Sequence, residues 1–543
     1  MRREREREWL TDQSSIHAAG SNFSELNTMS QEVDAIVIGS GHNGLVSAVR
    51  LSRKGWKVLV VEQADVPGGA AKTAEVTLPG FRHDLYATNI GLFLNSKFYQ
   101  ENRHAMKKHG FEPVVSDKAY SSVFPDAAGI GVTTNPRQTH QALSRISSAD
   151  ADAWDELVTY FERTAPYFLP LMQMPLPSWQ AALQLWRLFR GLKRGGAVEL
   201  AQMLLKSPRE FVDCWFESPE VKALVAPWAL HLDFGPDISN GAVFPFIESV
   251  ANAQNGIALA RGGIGNLVNA LASMLEESGG ALLTGRRVER VLVENGRAVG
   301  VRLANGDELR ARRAVIGNVT PTQLAGHLLE PGDMPTRYAR KSRAYRYGPG
   351  TMMIHLALDE PVQWSAGEEY SDYAYVHIGP YVEDLSLAYT QAVNGVLPDE
   401  PLLVVGQPTA VDPNRAPAGK HILWVQVRAL PAYPEKDSQG DWKEAYADRV
   451  IRKIARYAPN IQGAALGRAV LSPADLERDN PNLAGGDSVS GSHHLDQNYL
   501  FRPFAGWSRY RTPVKRLYMC GASTWPGGGL NATSGYLLAE QLL

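Results

Sequence analysis

The feature that most constrains this 543-residue chain is a glycine-rich turn between a short apolar strand and a helix near its start. Val33 to Ile38 (VDAIVI) has the β-branched composition of a buried parallel strand and leads directly into GSGHNG at 39–44. Apolar residues then recur at helical spacing to about Lys54, and WKVLVV at 56–61 follows as a second strand. This order of strand, GxGxxG turn, helix and strand predicts a nucleotide-binding βαβ unit.

Each glycine of the turn has its own physical task. Gly39 allows the tight turn, Gly41 lets the backbone approach a pyrophosphate, and Gly44 lets the helix pack closely against the strand. The free N–H groups of the helix N-terminus form an anion site. Glu62 ends the second strand, where its carboxylate can accept hydrogen bonds from ribose hydroxyls and would repel the additional phosphate of an NADP-type ligand. The unit therefore predicts dinucleotide binding, and a purely structural glycine turn is the alternative.

Glycines recur where a bound cofactor would continue from the first turn. Gly68 and Gly69, in DVPGGAAKT, permit a second close approach of the backbone. The rest of a cofactor domain is predicted downstream as a helix, two β-hairpins and a strand. These elements are expected at 262–280 for the helix, at Asn295-Gly296 and Asn305-Gly306 for the hairpin turns, and at 314–316 for the strand.

The end of the chain repeats the pattern of its beginning. Arg516 to Cys520 (RLYMC) predicts a strand, and GASTWPGGGLNATSGYLLAEQLL then supplies a glycine-rich turn and a terminal amphipathic helix. In a flavoenzyme, the dipole of this helix would stabilise the anionic reduced flavin. The alternative is a glycine-rich loop that merely ends a domain.

Composition allows a large core and limits the expected partners. The chain is 44% hydrophobic and 21% charged, and it is too long for one ordinary core, so we expect two domains or one domain with large insertions. A net charge of -2 gives no electrostatic reason to expect nucleic acid. Cys214 and Cys520 are too far apart in sequence for a CxxC pair and too few for a disulfide framework, which favours a reducing, cytoplasmic setting.

Two segments bear on membrane attachment. Residues 1–28 lack the apolar region of a secretory signal, and we interpret them as a disordered extension or as an over-long start before Met29. No stretch reaches the roughly 18 consecutive apolar residues that a spanning helix needs. At 179–194, aromatic residues at helical spacing and a basic edge fit two structures: a helix peripheral to an anionic membrane surface, or a core helix with a solvated basic end.

The middle of the chain predicts the substrate side. Residues 125–254 are helical in pattern, apolar and rich in tryptophan, as expected of a cap. Between 345 and 430 the pattern alternates like strands, for example at 351–358 and 421–427, and 441–457 predicts a helix. A pocket with a sheet as its floor and apolar helices as its cap favours a long or flat hydrophobic ligand.

Taken together, these segments resemble the phytoene desaturase-like branch of the FAD-dependent amine oxidase superfamily, which includes carotenoid desaturases, desaturase-like ketolases, carotenoid isomerases and animal relatives. The most specific segments are IVIGSGHNGLVSA, VVEQADVPGGAAKT, GFRHD, VDPNRAPAGKHILWVQV, HHLDQNYLFRP, YRTPVKRLYMCG and ASTWPGGG. The resemblance implies an α/β fold in which a Rossmann-like FAD-binding domain, of the glutathione reductase-like type, carries an inserted α+β substrate domain of mixed sheet and helical cap.

The resemblance also implies a division of the chain and a set of cofactor contacts. After an N-terminal extension at 1–32, FAD-binding segments are expected at 33–124, 255–325 and 495–543, a helical cap at 125–254 and the rest of the substrate domain at 326–494. The residues expected to bind FAD are Gly39, Gly41, Gly44, Glu62, Gly68, Gly69, Val288, Gly521, Ala522, Gly529 and Leu530.

The sequence departs from the family pattern at two places. Many relatives have GGR where this chain has Gly68-Gly69-Ala70, and THPG where it has TWPG at 524–527. The first change leaves the cofactor prediction intact, because backbone contacts and a helix dipole carry most of it. The second places Trp525 beside the expected flavin, where a large aromatic ring would reshape the pocket or shield the flavin.

Few side chains are needed for catalysis, because flavin itself accepts a hydride. Trp525 and His494 are the candidate catalytic residues, since an imidazole such as that of His494 or its neighbour His493 can take a substrate proton. The alternative for both histidines is a hydrogen-bonded structural role. A second candidate group is His83, Asp84 and Tyr86. No spacing of histidines, cysteines or paired carboxylates indicates a metal site.

The leading functional hypothesis is a FAD-dependent dehydrogenase or oxidase that acts on a conjugated or isoprenoid-like hydrophobic small molecule. One complete GxGxxG unit leaves no dedicated nicotinamide domain, so oxygen or a quinone is the expected electron acceptor. Two alternatives remain open: an amine oxidase-like enzyme on the same scaffold, and a flavin-binding interaction protein with little turnover.

Overall fold

The computed structural model describes residues 32–378, 381–434 and 442–543. The predicted extension at 1–32, with Met29 as an alternative start, lies outside the described residues except for Glu32. Asp441, the first residue predicted for one helix, also lies outside them.

Strands are numbered β1 to β18 and helices α1 to α18 in chain order. The strands are Val33–Ile38, Val58–Val61, Thr73–Ala74, His83–Asp84, Pro113–Ser116, Lys118–Val123, Gly129–Thr133, Ile257–Ala260, Ala281–Leu283, Val288–Glu294, Arg297–Leu303, Glu308–Gly317, Gly350–Leu358, Tyr375–Ile378, Leu402–Gly406, His421–Leu430, Ala465–Leu471 and Leu517–Met519. The helices are His42–Ser52, Gly91–Leu94, Lys97–Lys108, Pro136–Ser144, Ser148–Phe168, Trp179–Leu205, Pro208–Trp215, Pro219–Val225, Val243–Asn255, Gly265–Glu277, Pro321–Gln323, Thr336–Arg343, Val382–Val393, Pro408–Val411, Trp442–Ala455, Ile461–Ala464, Pro473–Asp479 and Thr533–Leu542. Short helical segments lie at Leu169–Gln173, Ala226–Leu232, Leu324–Leu328, Pro331–Asp333, Glu368–Asp372, Pro413–Arg415, Ala484–Gly486, Leu495–Gln497 and Tyr499–Phe501.

The first sheet brings the two ends of the chain together. β12 pairs in parallel with β1 on one edge and with β18 on the other, while β2 and β9 continue the parallel sheet beyond β1. β10 and β11 extend it in antiparallel fashion. The register aligns the last residues of three strands, Ile38, Gly317 and Met519. Their carboxyl ends therefore share one edge, which is where open parallel sheets bind ligands.

The second sheet has the strand order β17-β13-β16-β15-β14-β6-β7 and is antiparallel except between β14 and β6. β13 and β16 are buried along nearly their whole length because both faces are covered. Apolar residues of one face pack against the helices of 148–255, and those of the other face pack against α15. β6 belongs to the predicted FAD segment 33–124 but pairs in this second sheet. The segment boundaries themselves stay predictions.

Most local predictions are confirmed. β1 matches its predicted range, and the hairpin turns form at Asn295-Gly296, with φ angles of 51° and 72°, and at 305–306, with φ of 92° at the glycine. The helix predicted at 262–280 is shorter, Gly265–Glu277, because Gly262 and Gly263 take positive φ angles before it begins. A purely helical pattern cannot show where such a glycine pair delays the start.

The helix predicted near residue 179 is α6, and its non-helical backbone at Lys193 (φ 57°, ψ 170°) divides it into two parts. Its first part exposes several large apolar side chains: Trp179 is 84% exposed, Trp186 53% and Phe189 52%. The opposite face is buried at Ala181, Gln184 and Leu188, so the segment packs on the core on one side and exposes aromatic rings on the other, and the membrane-surface interpretation stays a prediction. No helix in the described part of the chain has the length and apolar character needed to cross a membrane.

Candidate cofactor site

A cavity of about 740 Å³ lies at the carboxyl edge of the first sheet. Ten of the eleven predicted cofactor-binding residues line it: Gly39, Gly41, Glu62, Gly68, Gly69, Val288, Gly521, Ala522, Gly529 and Leu530. The eleventh, Gly44, lies behind the wall, where an added Cβ would stand 2.5 Å from the carbonyl oxygen of Gly39. Residues from distant parts of the sequence therefore surround one space, and their individual cofactor contacts stay predictions.

The glycine turn between β1 and α1 depends on a residue that the sequence analysis missed, Asn318. Its side-chain amide donates to the carbonyls of Gly39 and Gly41, at 3.4 and 3.3 Å. A Cβ at Gly41 would lie only 2.8 Å from the Asn318 Nδ2 atom, so the turn is as close to Asn318 as a glycine allows. No side chain of the described residues caps α1, which leaves its first N–H groups for a ligand. The available signal was position, because Asn318 lies two residues after the predicted strand at 314–316.

Glu62 is fixed in the cavity wall by three donors. Its Oε2 atom accepts hydrogen bonds from the Ser40 N–H at 2.8 Å and the Ser40 Oγ at 2.7 Å, and its Oε1 atom accepts from the Ala64 N–H at 2.9 Å. Because a carboxylate oxygen can accept two hydrogen bonds, Oε1 keeps capacity for one more. The arrangement suits a ribose hydroxyl. Two cations that were not predicted, Arg286 and Arg287, line the same cavity next to Val288.

The C-terminal turn completes the cavity from the opposite side. The Gly521 N–H donates to Ser534 Oγ at 3.0 Å, and the Gly535 N–H donates to Asn43 Oδ1 at 3.1 Å. A Cβ on Gly535 would overlap the carbonyl of Asn43, so α18 and α1 pack closely through this glycine. The first and last helices of the described chain are thus joined at the cavity.

The two adjacent histidines do not line this cavity. His493 is buried, and its Nε2 atom accepts a hydrogen bond from the Gly528 N–H at 2.8 Å. Burial holds its pKa well below the ordinary value, so the ring is a neutral support for the glycine-rich turn. The His494 Nε2 atom lies 3.0 Å from the backbone oxygen of Asp233, and burial also lowers its pKa. A catalytic role for His494 stays a prediction, and His494 is not among the residues that line the cavity.

Trp525 is buried outside the cofactor cavity. Its Nε1 atom donates to the backbone oxygen of Met174 at 2.8 Å, and its ring lies 5.6 Å from the ring of Tyr499. The indole is therefore fixed between the C-terminal turn and the segment before α6. Its predicted influence on the flavin remains a prediction, because the residues of the cavity wall nearest in sequence are Ser523 and Gly529.

The second candidate group, around Asp84, forms a buried structural junction. Asp84 accepts hydrogen bonds from Thr73, Thr88 and the Ile264 N–H, and it pairs with Arg415 at 3.0 Å. The Tyr86 hydroxyl donates to Asp479, a residue of the cavity wall, at 2.7 Å. Within the described residues, no group of three or more His, Cys, Asp or Glu side chains could hold a metal ion.

The residues present fit a flavin dinucleotide. The cavity volume is within the usual range of about 300–1,000 Å³ for small-molecule sites. Glycines at the closest approaches, an uncapped helix start and a fixed carboxylate match a pyrophosphate and a ribose. The same wall would be poorly suited to a bulky apolar ligand at the glycine turn.

Comparison with known proteins agrees with this geometry. Residues 44–534 match the family model described as flavin containing amine oxidoreductase. The chain belongs to this family. It is therefore a flavin-dependent oxidoreductase, and the predicted cofactor, FAD, is confirmed. The resemblance to the phytoene desaturase-like branch is also confirmed.

The relatives include several kinds of protein. The chain is 30% identical to rat (Rattus norvegicus) pyridine nucleotide-disulfide oxidoreductase domain-containing protein 2, over 93% of this chain and 92% of the relative. It is 27% identical to a limonene dehydrogenase polypeptide of Castellaniella defragrans, over 94% of both chains. It is 26% identical to the neurosporene-forming phytoene desaturase of Cereibacter sphaeroides, over 92% of both.

Solved structures share the fold at lower identity. An oxidoreductase from Methanosarcina mazei is similar with a TM-score of 0.59 and 17% identity, over 94% of this chain and 99% of that one. Cyclohexylamine oxidase from Brevibacterium oxydans has a TM-score of 0.56 and 17% identity, over 94% and 100%. These similarities establish an α/β fold of mixed sheets and helices shared with amine oxidase-type flavoproteins.

Proposed function

We propose that this chain is a FAD-dependent dehydrogenase or oxidase with a hydrophobic, conjugated or isoprenoid-like substrate. The observation that carries the proposal is the direct contact between the cofactor cavity and the apolar core under the helical layer. Leu483 and Ala70 line the cavity and also pack in that core. That core is apolar, so the side of the cavity that borders it favours an apolar ligand. Relatives named as a limonene dehydrogenase and a phytoene desaturase support the same substrate class.

When bound, FAD would supply the acceptor for a hydride from a substrate C–H bond. Transfer of a proton from the neighbouring atom to a water molecule would leave a double bond between the two atoms. The chain's own contribution is placement and the exclusion of bulk water. The second sheet and the helices of 148–255 enclose the substrate side, while Asn318 and Glu62 hold the cofactor side in position.

Anaerobic reduction of the flavin tests this proposal. Purified holoprotein would be mixed without oxygen with a monoterpene, a polyene or a primary amine, and the flavin absorbance would be followed. Loss of absorbance with the isoprenoid compounds alone is the expected result. Reduction by the amine alone would replace the proposal with the amine oxidase alternative. No reduction by any compound would support the flavin-binding interaction protein. Addition of oxygen or a quinone to the reduced protein then identifies the acceptor.

We also propose that the protein contacts a membrane surface peripherally through the first part of α6. The exposed rings of Trp179, Trp186 and Phe189 can enter the interface between lipid headgroups and acyl chains. Arg187 and Arg190 lie in the same helix segment and favour anionic lipids. Such a position would give a hydrophobic substrate a short path from the lipid phase to the enzyme.

A further inference from the structure

A second, smaller cavity lies beside the cofactor cavity. Its volume is about 20 Å³, and its wall includes Asp233, Tyr389, Arg428 and Asp487. Ser488 lines both cavities, so the two spaces meet at this residue. A volume of this size holds one or two water-sized groups. It can therefore accept the polar end of a ligand but not its body.

Arg428 is the charged group that the described part of the protein leaves incompletely paired at this place. It projects from β16 and is buried, and its Nη1 atom donates to the Ser488 Oγ atom at 2.8 Å. Its Nε atom is buried without a hydrogen-bond partner in the ranges that the structure describes. Among the described residues, no carboxylate lies within 4 Å of this guanidinium. Burial lowers its pKa to about 10, so the side chain remains positively charged at neutral pH.

The two carboxyl groups in the same wall have other partners. Asp487 accepts hydrogen bonds from three backbone N–H groups, those of Gly348, Val489 and Gly491, at 2.7–2.9 Å. Asp233 Oδ1 accepts a hydrogen bond from the Tyr389 hydroxyl at 3.2 Å, and burial raises the pKa of Asp233 to about 8, which favours its protonated form at neutral pH. Asp487 stabilises the charge of Arg428 only at longer range. A buried guanidinium with an unpartnered N–H group is unfavourable, and a bound anion would supply the missing contact.

The backbone around the small cavity adopts an uncommon conformation. Asp233 and Ala429, which line it, have φ angles of 69° and 56°, and Ser490 in the adjoining cofactor wall has 57°. Left-handed conformations at residues other than glycine cost about 1 kcal/mol each. Such conformations cluster at ligand sites, where the surrounding structure holds them. The strained backbone thus lies in the wall of the same small cavity as Arg428.

We propose that Arg428 binds a carboxylate at one end of the substrate and so fixes the apolar body of the substrate beside the flavin. Identification of this ligand as the substrate rests on the proposed function. The carboxylate oxygens would bond to Nε and to the unshared face of the guanidinium, a geometry that arginine favours. The preferred substrates are then amphiphilic acids with a hydrophobic, unsaturated chain.

Ligand binding to the holoprotein tests the site without turnover. Dodecanoate and dodecanol would be titrated separately, and the shift of the flavin absorbance spectrum would give each dissociation constant. We expect the acid to bind at least about tenfold more tightly than the alcohol, since a charge-assisted hydrogen bond is lost with the alcohol. Arg428→Gln should weaken acid binding by about tenfold or more and leave alcohol binding unchanged.

Arg468→Gln is the matched control, because Arg468 lies on β17 of the same sheet but is partly exposed and pairs with Glu444 and Asp448. It should leave both ligands unaffected. Equal binding of acid and alcohol by the unchanged protein would overturn the proposal, and this comparison does not depend on the folding of any variant. An equal loss of acid binding in Arg428→Gln and Arg468→Gln would overturn it as well.

Failure of the site and failure of the proposed function give different results. If dodecanoate binds through Arg428 but no isoprenoid compound reduces the flavin, the anion site stands and the proposed reaction is wrong. If uncharged isoprenoids reduce the flavin at the same rate in the wild type and in Arg428→Gln, and dodecanoate binds no better than dodecanol, the reaction stands and the site is wrong.

Discussion

Two buried arginines of this protein show how differently a fold can treat the same charge. Arg415 pairs with Asp84 at 3.0 Å and with Asp412 at 3.2 Å, and all three side chains are fully buried. Arg428 is also buried, but its one hydrogen bond in the described structure goes to the neutral hydroxyl of Ser488. The first arginine has its counter-ions within the fold, and the second lacks a carboxylate at contact distance among the described residues.

The difference separates structural regions from binding regions. A buried charge with its counter-ions in the protein joins segments of the chain, as Arg415 joins β4, β8 and the segment 413–415, even though its Nη1 atom has no hydrogen-bond partner among the described residues. A buried charge that lacks a contacting counter-ion is stabilised further when a ligand of opposite charge arrives. The glycine turn, which leaves space for a cofactor, and the exposed rings of α6 are binding regions in the same sense. Substitutions in structural regions should therefore reduce the free energy of unfolding. Substitutions in binding regions should reduce the affinity for the ligand.

The largest effect is expected at the paired arginine. Arg415→Met leaves Asp84 and Asp412 buried without a cation, so the free energy of unfolding should fall by about 3–5 kcal/mol. Arg428→Met removes one hydrogen bond and strands no contacting carboxylate of the described chain, so its loss should be about 1 kcal/mol. Urea unfolding of both variants, followed by fluorescence, measures the difference. Similar losses for the two variants would break the comparison.

The next effect is expected at the glycine turn, and it concerns binding. Gly41→Val places two methyl groups in the cofactor cavity, so FAD affinity should fall by about 1–3 kcal/mol, or roughly 5- to 150-fold. Gly41 has φ of -58° and ψ of 155°, which valine adopts readily, but the added Cβ would lie 2.8 Å from the Asn318 Nδ2 atom, so this amide must move. Urea unfolding of the apoprotein therefore accompanies the titration and separates a loss of affinity from a loss of fold. Fluorescence titration of apoprotein with FAD measures the affinity. Gly326→Ala, where an added Cβ meets nothing within 4 Å, is the control.

Sequence and structure agree best where the determinants are local. The β1–α1–β2 unit follows from apolar periodicity and three glycines, and most predicted cofactor residues do line one cavity. Asn318 was missed because its role depends on the pairing of β1 with β12, about 280 residues apart. Proximity in sequence to the last strand suggested His494 as a catalytic residue, yet its side chain faces Asp233.

The small cavity could not have been predicted from the sequence. Arg428 lies in a strand whose pattern indicates only burial and alternation, and Asp233 lies 195 positions earlier in the helical layer. Their meeting depends on how the helical layer packs on the second sheet. Sequence periodicity can identify which face of a strand is buried. It cannot identify which distant segment covers that face.

A smaller effect is expected for membrane contact, where the exposed groups are the apolar rings of α6. Replacement of Trp179 and Trp186 by serine should weaken binding to anionic vesicles by about tenfold, or 1.4 kcal/mol, because two exposed rings no longer enter the interface. Vesicle sedimentation measures the bound fraction. Leu387→Ser is the control, since Leu387 is 60% exposed but lies on α13. If the control loses as much binding as the tryptophan variant, α6 is not the contact surface.

The comparison can also be sharpened through pH. Because burial raises the pKa of Asp233 to about 8, the folded protein holds this proton more tightly than the unfolded chain does. The stability of the wild type should therefore fall as pH rises from about 4 to about 8 through this group. Asp233→Asn removes the ionisable group, so its stability relative to the wild type should rise over that window. Thermal unfolding at pH 5 and pH 8.5 measures the change.

Asp496→Asn is the control, because Arg346 lowers the pKa of Asp496 and its substitution should give no such gain. A constant difference between Asp233→Asn and wild type at both pH values would show that Asp233 is charged in the folded protein, and Arg428 would then have a negative partner after all.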